Sequence, residues 1–455
     1  MALDQQRNWT IAMAENLKAV QQRSINKAQL EQTPTAVGFP VRDDDPQPSN
    51  YRPTEPAYLP DEIILEILTY VIRNSDAQKT LYSCCLLSRQ WYETAVPLLY
   101  EHPKIYGKNY DPFVRAMCPS INKRVRDSPL ARLVKVLDLG LLVHHSTKSV
   151  TARLLGRTNE NLQAFVAPQA SFAINCYPAL SKCHKLRRLD LSLVSESTPL
   201  QTLFNTVKSL QHLTHLRLPR SSGFGTGDLE AHSIVWPPKL KSLHLSGGID
   251  AHFLYGLVHF PPSLQQLTIE HCPLAKSHAI KQLLTTISRT GIPLQYLSVH
   301  HMPRLNMSSL DQVLGLFPGL QELNVSIDYI TPHVLNPEFQ EWHIVPPPDF
   351  STHSLRVLTL TNSGDPGVED KFSPIDIIVA LDEGSFPELR HIRIAKSLNW
   401  QHGETGDETD ALIDKLQELG QQDYDERRGI YAEMTTEEWK QAKVNDWAGV
   451  WMIDG

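Results

Sequence analysis

The sequence predicts an α/β protein in which three short N-terminal helices precede a curved array of about ten irregular strand–helix units. Three observations lead to this prediction: helical apolar stripes over residues 58–100, ten returns of an alternating apolar pattern after residue 130, and helix-like stretches between those returns. We therefore divide the chain into an N-terminal extension (1–57), a helical module (58–104), a repeat array (105–400) and a C-terminal tail (401–455).

Composition argues against several classes of protein. The net charge of −7 provides no general attraction to nucleic acid or to an anionic membrane. No stretch reaches the roughly 20 apolar residues of a transmembrane helix, and the N-terminal residues lack the pattern of a signal peptide. We expect an intracellular protein, cytoplasmic or nuclear, that binds neither nucleic acid nor membranes.

The cysteines form no CxxC pair, which argues against a disulfide framework and against a zinc site built on thiolates. They are Cys84, Cys85, Cys118, Cys176, Cys183 and Cys272. In an intracellular chain of this length we expect them to be buried free thiols.

The N-terminal extension has two parts. Residues 10–31 show a weak amphipathic pattern, typical of a frayed helix. Residues 34–56 contain six prolines and the acidic run Asp43, Asp44 and Asp45. Because this composition does not support a packed element, we expect a linker.

The helical module begins at Pro60, a first-turn position that Asp61 and Glu62 follow. The first apolar stripe comprises Ile63, Ile64, Ile67, Leu68 and Val71, and a second stripe extends from Leu81 to Leu99. Three helices in about 43 residues bury too little surface to be stable alone. The module should therefore lean on a neighbour or a partner.

The order Leu59-Pro60-Asp61-Glu62, then Leu87-Ser88-Arg89 and Trp91, closed by Pro97-Leu98-Leu99-Tyr100, resembles the F-box, most closely that of filamentous fungi. The F-box docks on the Skp adaptor of cullin-RING ubiquitin ligases, so the resemblance implies a Skp-type adaptor and, through it, a cullin as partners. Ser88 stands where many members carry cysteine. The adaptor-binding residues implied are Leu59, Pro60, Ile63, Ile64, Ile67, Leu68, Leu87 and Trp91. A generic helical cap is the alternative.

The repeat array is predicted from a unit of the form L-x-x-L-x-L, whose ten copies start 24 to 35 residues apart. Alternation within each unit is the period of a strand with one buried side. The middle apolar positions are Leu137, Phe165, Leu189, Leu216, Leu243, Leu267, Leu297, Leu323, Leu358 and Ile392.

Between these strands lie helix-like stretches such as 200–210 and 280–287. Parallel strands joined by right-handed crossovers stack side by side, and the wider helices curve the stack with the sheet inside. The pattern resembles a leucine-rich-repeat horseshoe, a solenoid. Where that family has Asn or Cys after the strand, only Cys272 fits, whereas Leu142, Val194 and Met302 fill the same place elsewhere.

The tail is acidic, because residues 401–455 carry 14 acidic and five basic side chains. Thr435 with Glu438 resembles a capping box, and Trp439, Trp447 and Trp451 give the end an apolar stripe that must be buried. We expect the tail to cap the last repeat. The alternative is that residues 401–430 fold back over the concave sheet.

No motif for catalysis or metal binding is found. The glycine-rich stretch 223–227 lacks the spacing of a phosphate loop. The pairs His144-His145 and His300-His301 have no acidic partner at metal-ligand spacing, and Cys183-His184 lies within a repeat, where a core thiol is common. We therefore predict no catalytic residue, no metal site and no cofactor.

The concave face of the sheet is the predicted binding surface, because residues that alternate with the inward leucines point out of it. The set is polar and of mixed sign, includes Glu270 and His300, and suits a protein better than nucleic acid. The strongest candidates for substrate binding are Arg188, His215, Arg217, His244, Tyr296, Glu322 and Arg393.

Together, an F-box and a repeat array resemble the F-box leucine-rich-repeat proteins, which implies a non-catalytic substrate receptor of an SCF-type (Skp-cullin-F-box) ubiquitin ligase. Two alternatives stay open. One is a scaffold that binds the adaptor without a ligase substrate, and the other is a small-molecule sensor with a pocket in the array.

Overall fold

A computed structural model describes residues 59–74, 76–120, 127–142, 147–197, 199–221, 234–336, 353–362, 372–430 and 448–454. The chain divides into two units, Met1–Leu59 and Pro60–Gly455, and only Leu59 of the first is described. The predicted helix and linker of residues 1–57, the stretch 223–227, His144-His145 and the Thr435–Glu438 pair lie outside the described residues.

Three helices follow Pro60, as the sequence predicts. Helix α1 spans Asp61–Val71, α2 spans Ala77–Cys84 and α3 spans Arg89–Glu101. Ser88 caps α3, because its Oγ accepts a hydrogen bond from the Trp91 N–H at 3.3 Å. Pro97 lies inside α3.

The three helices enclose a small core that leans on the rest of the unit. Ile64, Leu68 and Leu81 are buried in it, whereas Tyr100 and Leu130 pack against both this core and the large core of the sheet. The Lys135 N–H donates to the Glu101 carbonyl oxygen at 2.9 Å. The expectation that so small a module needs a neighbour is confirmed.

The remainder of the unit is built on one parallel sheet with strands in sequence order, which confirms the α/β class. The strands are β1 (Val136–Asp138), β2 (Ala164–Val166), β3 (Arg188–Asp190), β4 (His215–Arg217), β5 (Ser242–Leu245), β6 (Gln266–Glu270), β7 (Tyr296–His300), β8 (Glu322–Ser326), β9 (Val357–Thr361), β10 (His391–Ala395) and β11 (Gly449–Ile453). The ten strands predicted from leucine spacing are β1–β10.

The register of the sheet aligns the middle apolar positions of all ten predicted units. Leu137 pairs with Phe165, and this continues strand by strand to Leu358 and Ile392. All ten side chains are buried. Period two therefore identified the inward face correctly.

Adjacent strands are joined by a repeated backbone contact. The residue two places before the aligned apolar position offers its carbonyl oxygen to two successive N–H groups of the next unit. Lys135 O accepts from Gln163 and Ala164, and Gln163 O accepts from Arg187 and Arg188. The same arrangement recurs up to Arg356 O, which accepts from Arg390 and His391.

Helices pack on one face of this sheet and share its core. They are α4 (Tyr110–Met117), α5 (Lys148–Thr158), α6 (Tyr177–Leu180), α7 (Leu200–Val207), α8 (Ala251–Gly256), α9 (Ser277–Arg289), α10 (Val313–Leu316), α11 (Pro374–Asp382) and α12 (Gly403–Ile430). Among the described residues, no helix has both the length and the apolar character required to cross a membrane.

The acidic tail begins as α12 and belongs to the helical side. Leu412 and Leu416 are fully buried in the large core. Asp423 accepts two hydrogen bonds from Arg390, at 2.8 and 2.9 Å, which ties the helix to the start of β10. The alternative in which residues 401–430 cover the other face of the sheet is therefore wrong.

The chain end is a strand and not a helix. β11 pairs in parallel with β10, with Val450 beside Ile392 and Trp451 beside Arg393. Trp439 and Trp447 of the predicted apolar stripe lie outside the described residues. Val450 and Met452 pack on the core, whereas Trp451 of that stripe, which alternates with them, is 38% exposed and not buried as expected. The last predicted repeat is thus covered by one further strand.

The six cysteines are free and buried, as predicted. Burial raises the pKa of the Cys183 and Cys272 thiols to about 12 and that of Cys85 to about 11. These thiols are therefore protonated and unreactive near neutral pH.

His353 is a buried histidine held in one tautomer. Its Nδ1 accepts from the Leu355 N–H, and its Nε2 lies 3.0 Å from the Phe317 carbonyl oxygen, to which it donates. A second proton would sit on Nδ1, against the Leu355 N–H. Burial of the ring lowers the pKa of His353 to about 4.

We predict that Leu243→Ala and Leu323→Ala each lower the free energy of unfolding by roughly 2–5 kcal/mol, because each opens a cavity under the sheet. Chemical denaturation measures the loss. Leu141→Ala, at a side chain that is 73% exposed, is the matched control and should change stability by less than about 0.5 kcal/mol. Equal losses in core and control variants would contradict the observed register.

His353 makes stability depend on pH. Its folded pKa of about 4 lies below its unfolded value near 6.5, so only the unfolded chain gains this proton between those values. Stability should fall by up to about 3 kcal/mol as the pH drops from 6.5 to 4. His353→Asn keeps an acceptor near the Leu355 N–H without titrating, and should flatten this part of a pH series of denaturation curves. Parallel pH profiles would contradict the assignment.

Candidate functional site

The helical module exposes large apolar side chains. Ile63 and Ile67, one turn apart on α1, are 47% and 40% exposed, and Leu87, in the turn before α3, is 66% exposed. We call these three residues the apolar face. Side chains of this kind are usually buried, and several exposed on one small module are typical of a docking surface. Leu59 and Pro60 are also exposed.

Two residues predicted to bind an adaptor are placed elsewhere. Ile64 and Leu68 are fully buried in the core of the module. The apolar stripe of α1 is wide enough for one edge to enter this core while the other edge, Ile63 and Ile67, faces outward. Trp91 is partly buried against the same core. Ile64 and Leu68 therefore support the surface from within, which corrects the predicted contact set.

The second candidate surface is the sheet face turned away from the helices, which we call the open face. Register places Arg188, His215, Tyr296 and Glu322 in one row across it. Arg217, His244 and Arg393 lie two residues further along their strands and so point to the same side.

Ion pairs of mixed sign cross the open face. Arg217 Nη1 lies 3.3 Å from Asp190 Oδ2, and Arg393 Nη1 lies 3.0 Å from Glu322 Oε1, which bridges β8 and β10 over β9. His215 Nδ1 lies 2.9 Å from Thr214 Oγ1. Burial, with the nearby positive charge of Arg188, lowers the pKa of His215. The open face thus presents positive charges, negative charges and the neutral imidazole of His215 to a ligand.

His244 differs from the other predicted anchors because it is only 7% exposed. Neighbouring strands cover its ring, so it is not available as a surface contact. Its Nδ1 has no hydrogen-bond partner among the described residues. Nε2 lies 3.3 Å from Glu270 Oε2, close enough for an electrostatic contact.

A cluster that sequence reasoning missed lies at the ends of β6 and β7. Glu270 Oε1 is 2.8 Å from His271 Nε2 and 3.6 Å from His301 Nδ1. The His244 ring, followed by the charges of His271 and Arg220, holds the pKa of Glu270 at about 2. Burial lowers the pKa of His271. The carboxylate is therefore ionised near neutral pH.

The sequence reveals this cluster only when the pairing of β6 with β7 is known. Glu270 pairs with His300, so the next residues, His271 and His301, stand side by side although 30 positions separate them. Their rings are stacked, with centroids 4.4 Å apart. A search for metal motifs within one segment does not find such a pair.

Comparisons with known proteins identify the helical module. Residues 57–105 match the family model described as F-box-like. The chain is 33% identical over 343 residues to the F-box protein YDR306C of Saccharomyces cerevisiae, a match that covers 74% of this chain but slightly less than two thirds (66%) of that relative. It is 31% identical over 343 residues to Protein pof5 of Schizosaccharomyces pombe, covering 74% of this chain and 88% of that protein.

Proposed function

The chain belongs to the F-box proteins, and on this premise we propose that it is the substrate-recognition subunit of an SCF-type ubiquitin ligase. The apolar face carries the proposal, since it lies within the residues that match the F-box-like model. A Skp-type adaptor, and a cullin through it, would be the partners. The protein would work as a receptor in the cytoplasm or nucleus, with the chemistry of transfer on other subunits.

Docking is supported by the free energy that burial of the apolar face against a partner would release. Burying one such side chain against a partner contributes about 1.5–3 kcal/mol, and the apolar face comprises three of the exposed apolar side chains of the module. The buried residues Ile64 and Leu68 fix α1 in place, so the face is preformed. A preformed face loses little entropy on binding, which favours a stable adaptor complex.

The open face would hold a protein substrate. Arginine and tyrosine are enriched at binding hot spots. Arg188 and Arg217 lie on adjacent strands, and Tyr296 lies three strands beyond Arg217 on the same face. The mixed signs of the ion pairs there favour a protein over a nucleic acid, which would need a basic stripe. We further propose that the units are leucine-rich repeats and that this face is the concave side of a solenoid.

The first functional prediction concerns docking. Ile67→Glu combined with Leu87→Glu should weaken binding of a purified Skp-type adaptor at least about a hundredfold, because two anchor side chains are lost and charges are introduced. Surface plasmon resonance measures the affinity, and thermal melting checks that the fold is kept.

Leu141→Glu is the matched control, an exposed leucine outside the module. It should leave adaptor affinity unchanged. Wild-type affinity in the double variant would show that the adaptor binds elsewhere or not at all, and the proposed role would fall.

The second functional prediction concerns the substrate. Arg188→Ala with Arg217→Ala should leave adaptor binding unchanged and alter the melting temperature little, because the Arg217 side chain is 57% exposed. In cells, ubiquitin-remnant profiling that compares this variant with wild type should show a defined set of sites lost. Deletion of the helical module should lose the same set.

Lys281→Ala, on an exposed position of α9, is the control for this experiment. It should retain all ubiquitin-remnant sites. Loss of those sites with Lys281→Ala, together with their retention in the double arginine variant, would place substrate recognition on the helical side.

A further inference from the structure

The cluster around Glu270 has the composition of a transition-metal site. One carboxylate and two imidazoles contribute donor atoms that all lie within 4.8 Å of one another. Imidazole and carboxylate together are the common protein ligands of zinc. The three residues come from two adjacent units, so the sheet register and not a local motif assembles them.

The distances suit a tetrahedral ion. Ligand atoms that each lie about 2.1 Å from a tetrahedral zinc are about 3.4 Å from one another. The separation from Glu270 Oε1 to His271 Nε2 is 2.8 Å, and that to His301 Nδ1 is 3.6 Å. Small side-chain rotations therefore suffice, and the His301 side chain, 65% exposed, is free to make them.

His244 contacts the carboxylate of this cluster. It is more than nine-tenths buried, and its Nδ1 lacks a hydrogen-bond partner among the described residues. Its Nε2 faces Glu270 Oε2, the carboxylate oxygen that does not contact His271. Metal-binding carboxylates are usually held by a second group of this kind.

We propose that Glu270, His271 and His301 bind one zinc ion on the open face, and that His244 positions the carboxylate of Glu270. The ion would sit at the ends of β6 and β7, with a fourth coordination position turned toward solvent because His301 is exposed. This site is separate from the helical module. Zinc binding is therefore tested independently of adaptor binding.

Two features of the cluster decide how it should be tested. Arg220 lies 3.7 Å from Glu270 Oε1, so this cation competes with a metal for the same oxygen. His271 and His301 both have positive φ, at 52° and 49°. Asparagine tolerates this left-handed conformation better than alanine, which makes His→Asn the substitution that removes the imidazole with least backbone strain.

The experiment is calorimetric titration of zinc chloride into the full-length protein after treatment with a chelator. We expect one zinc ion per chain and a higher melting temperature with zinc. His271→Asn and His301→Asn should each weaken zinc binding at least about tenfold. Arg220→Ala should bind zinc at least as tightly as wild type.

His278→Asn is the matched control, since this histidine is exposed on α9 away from the cluster. The buried thiols do not compete in the folded protein. Absence of a stoichiometric zinc site, or equal weakening by His278→Asn and His301→Asn, would overturn the proposal. Circular dichroism of each variant confirms that a loss of binding is not a loss of fold.

Discussion

The structure depends on one repeated backbone contact, the carbonyl oxygen that accepts two N–H groups from the following unit. It begins at Lys135 and recurs through Gln163 and Arg187 to Arg356. Because each contact fixes a strand against its predecessor, it sets the register, and the register decides which side chains face the helices. The burial of every middle leucine and the layout of the open face both follow from it.

The sequence predicted strands β1–β10 well, because two apolar residues stand two positions apart in every unit. The large apolar residue at the middle position of each unit is buried under the sheet. The sequence predicted less where one residue pattern is compatible with two structures. On α1, Ile63 and Ile64 are equally apolar, and only packing against α3 shows which faces the core. The apolar stripe predicted at the chain end did not identify β11, which is defined by its pairing with β10. The Glu270 cluster depends on proximity across units, which no single segment encodes.

The junction between the helical module and the sheet bears on the proposed function. Tyr100 and Leu130 belong to the packing of both cores, and Lys135 Nζ lies 2.8 Å from Glu101 Oε1 across the same junction. No hinge glycine lies in α3 itself. An adaptor bound to α1 and a substrate bound to the open face would thus be held in a fixed relation. Such positioning is how a receptor without chemistry of its own accelerates transfer, since it raises the local concentration of one reactant beside the other.

The buried thiols are natural probes of local unfolding in this chain. Cys84 and Cys85 report on the helical module, Cys118 on the first sheet-covering helix, Cys176 and Cys183 on the early units and Cys272 on the middle. In the folded protein burial protects them, so labelling by a thiol reagent requires local unfolding. A stacked array opens unit by unit in proportion to the strength of each interface. The order in which these cysteines become labelled in dilute denaturant would therefore map, without any introduced label, where the array is weakest.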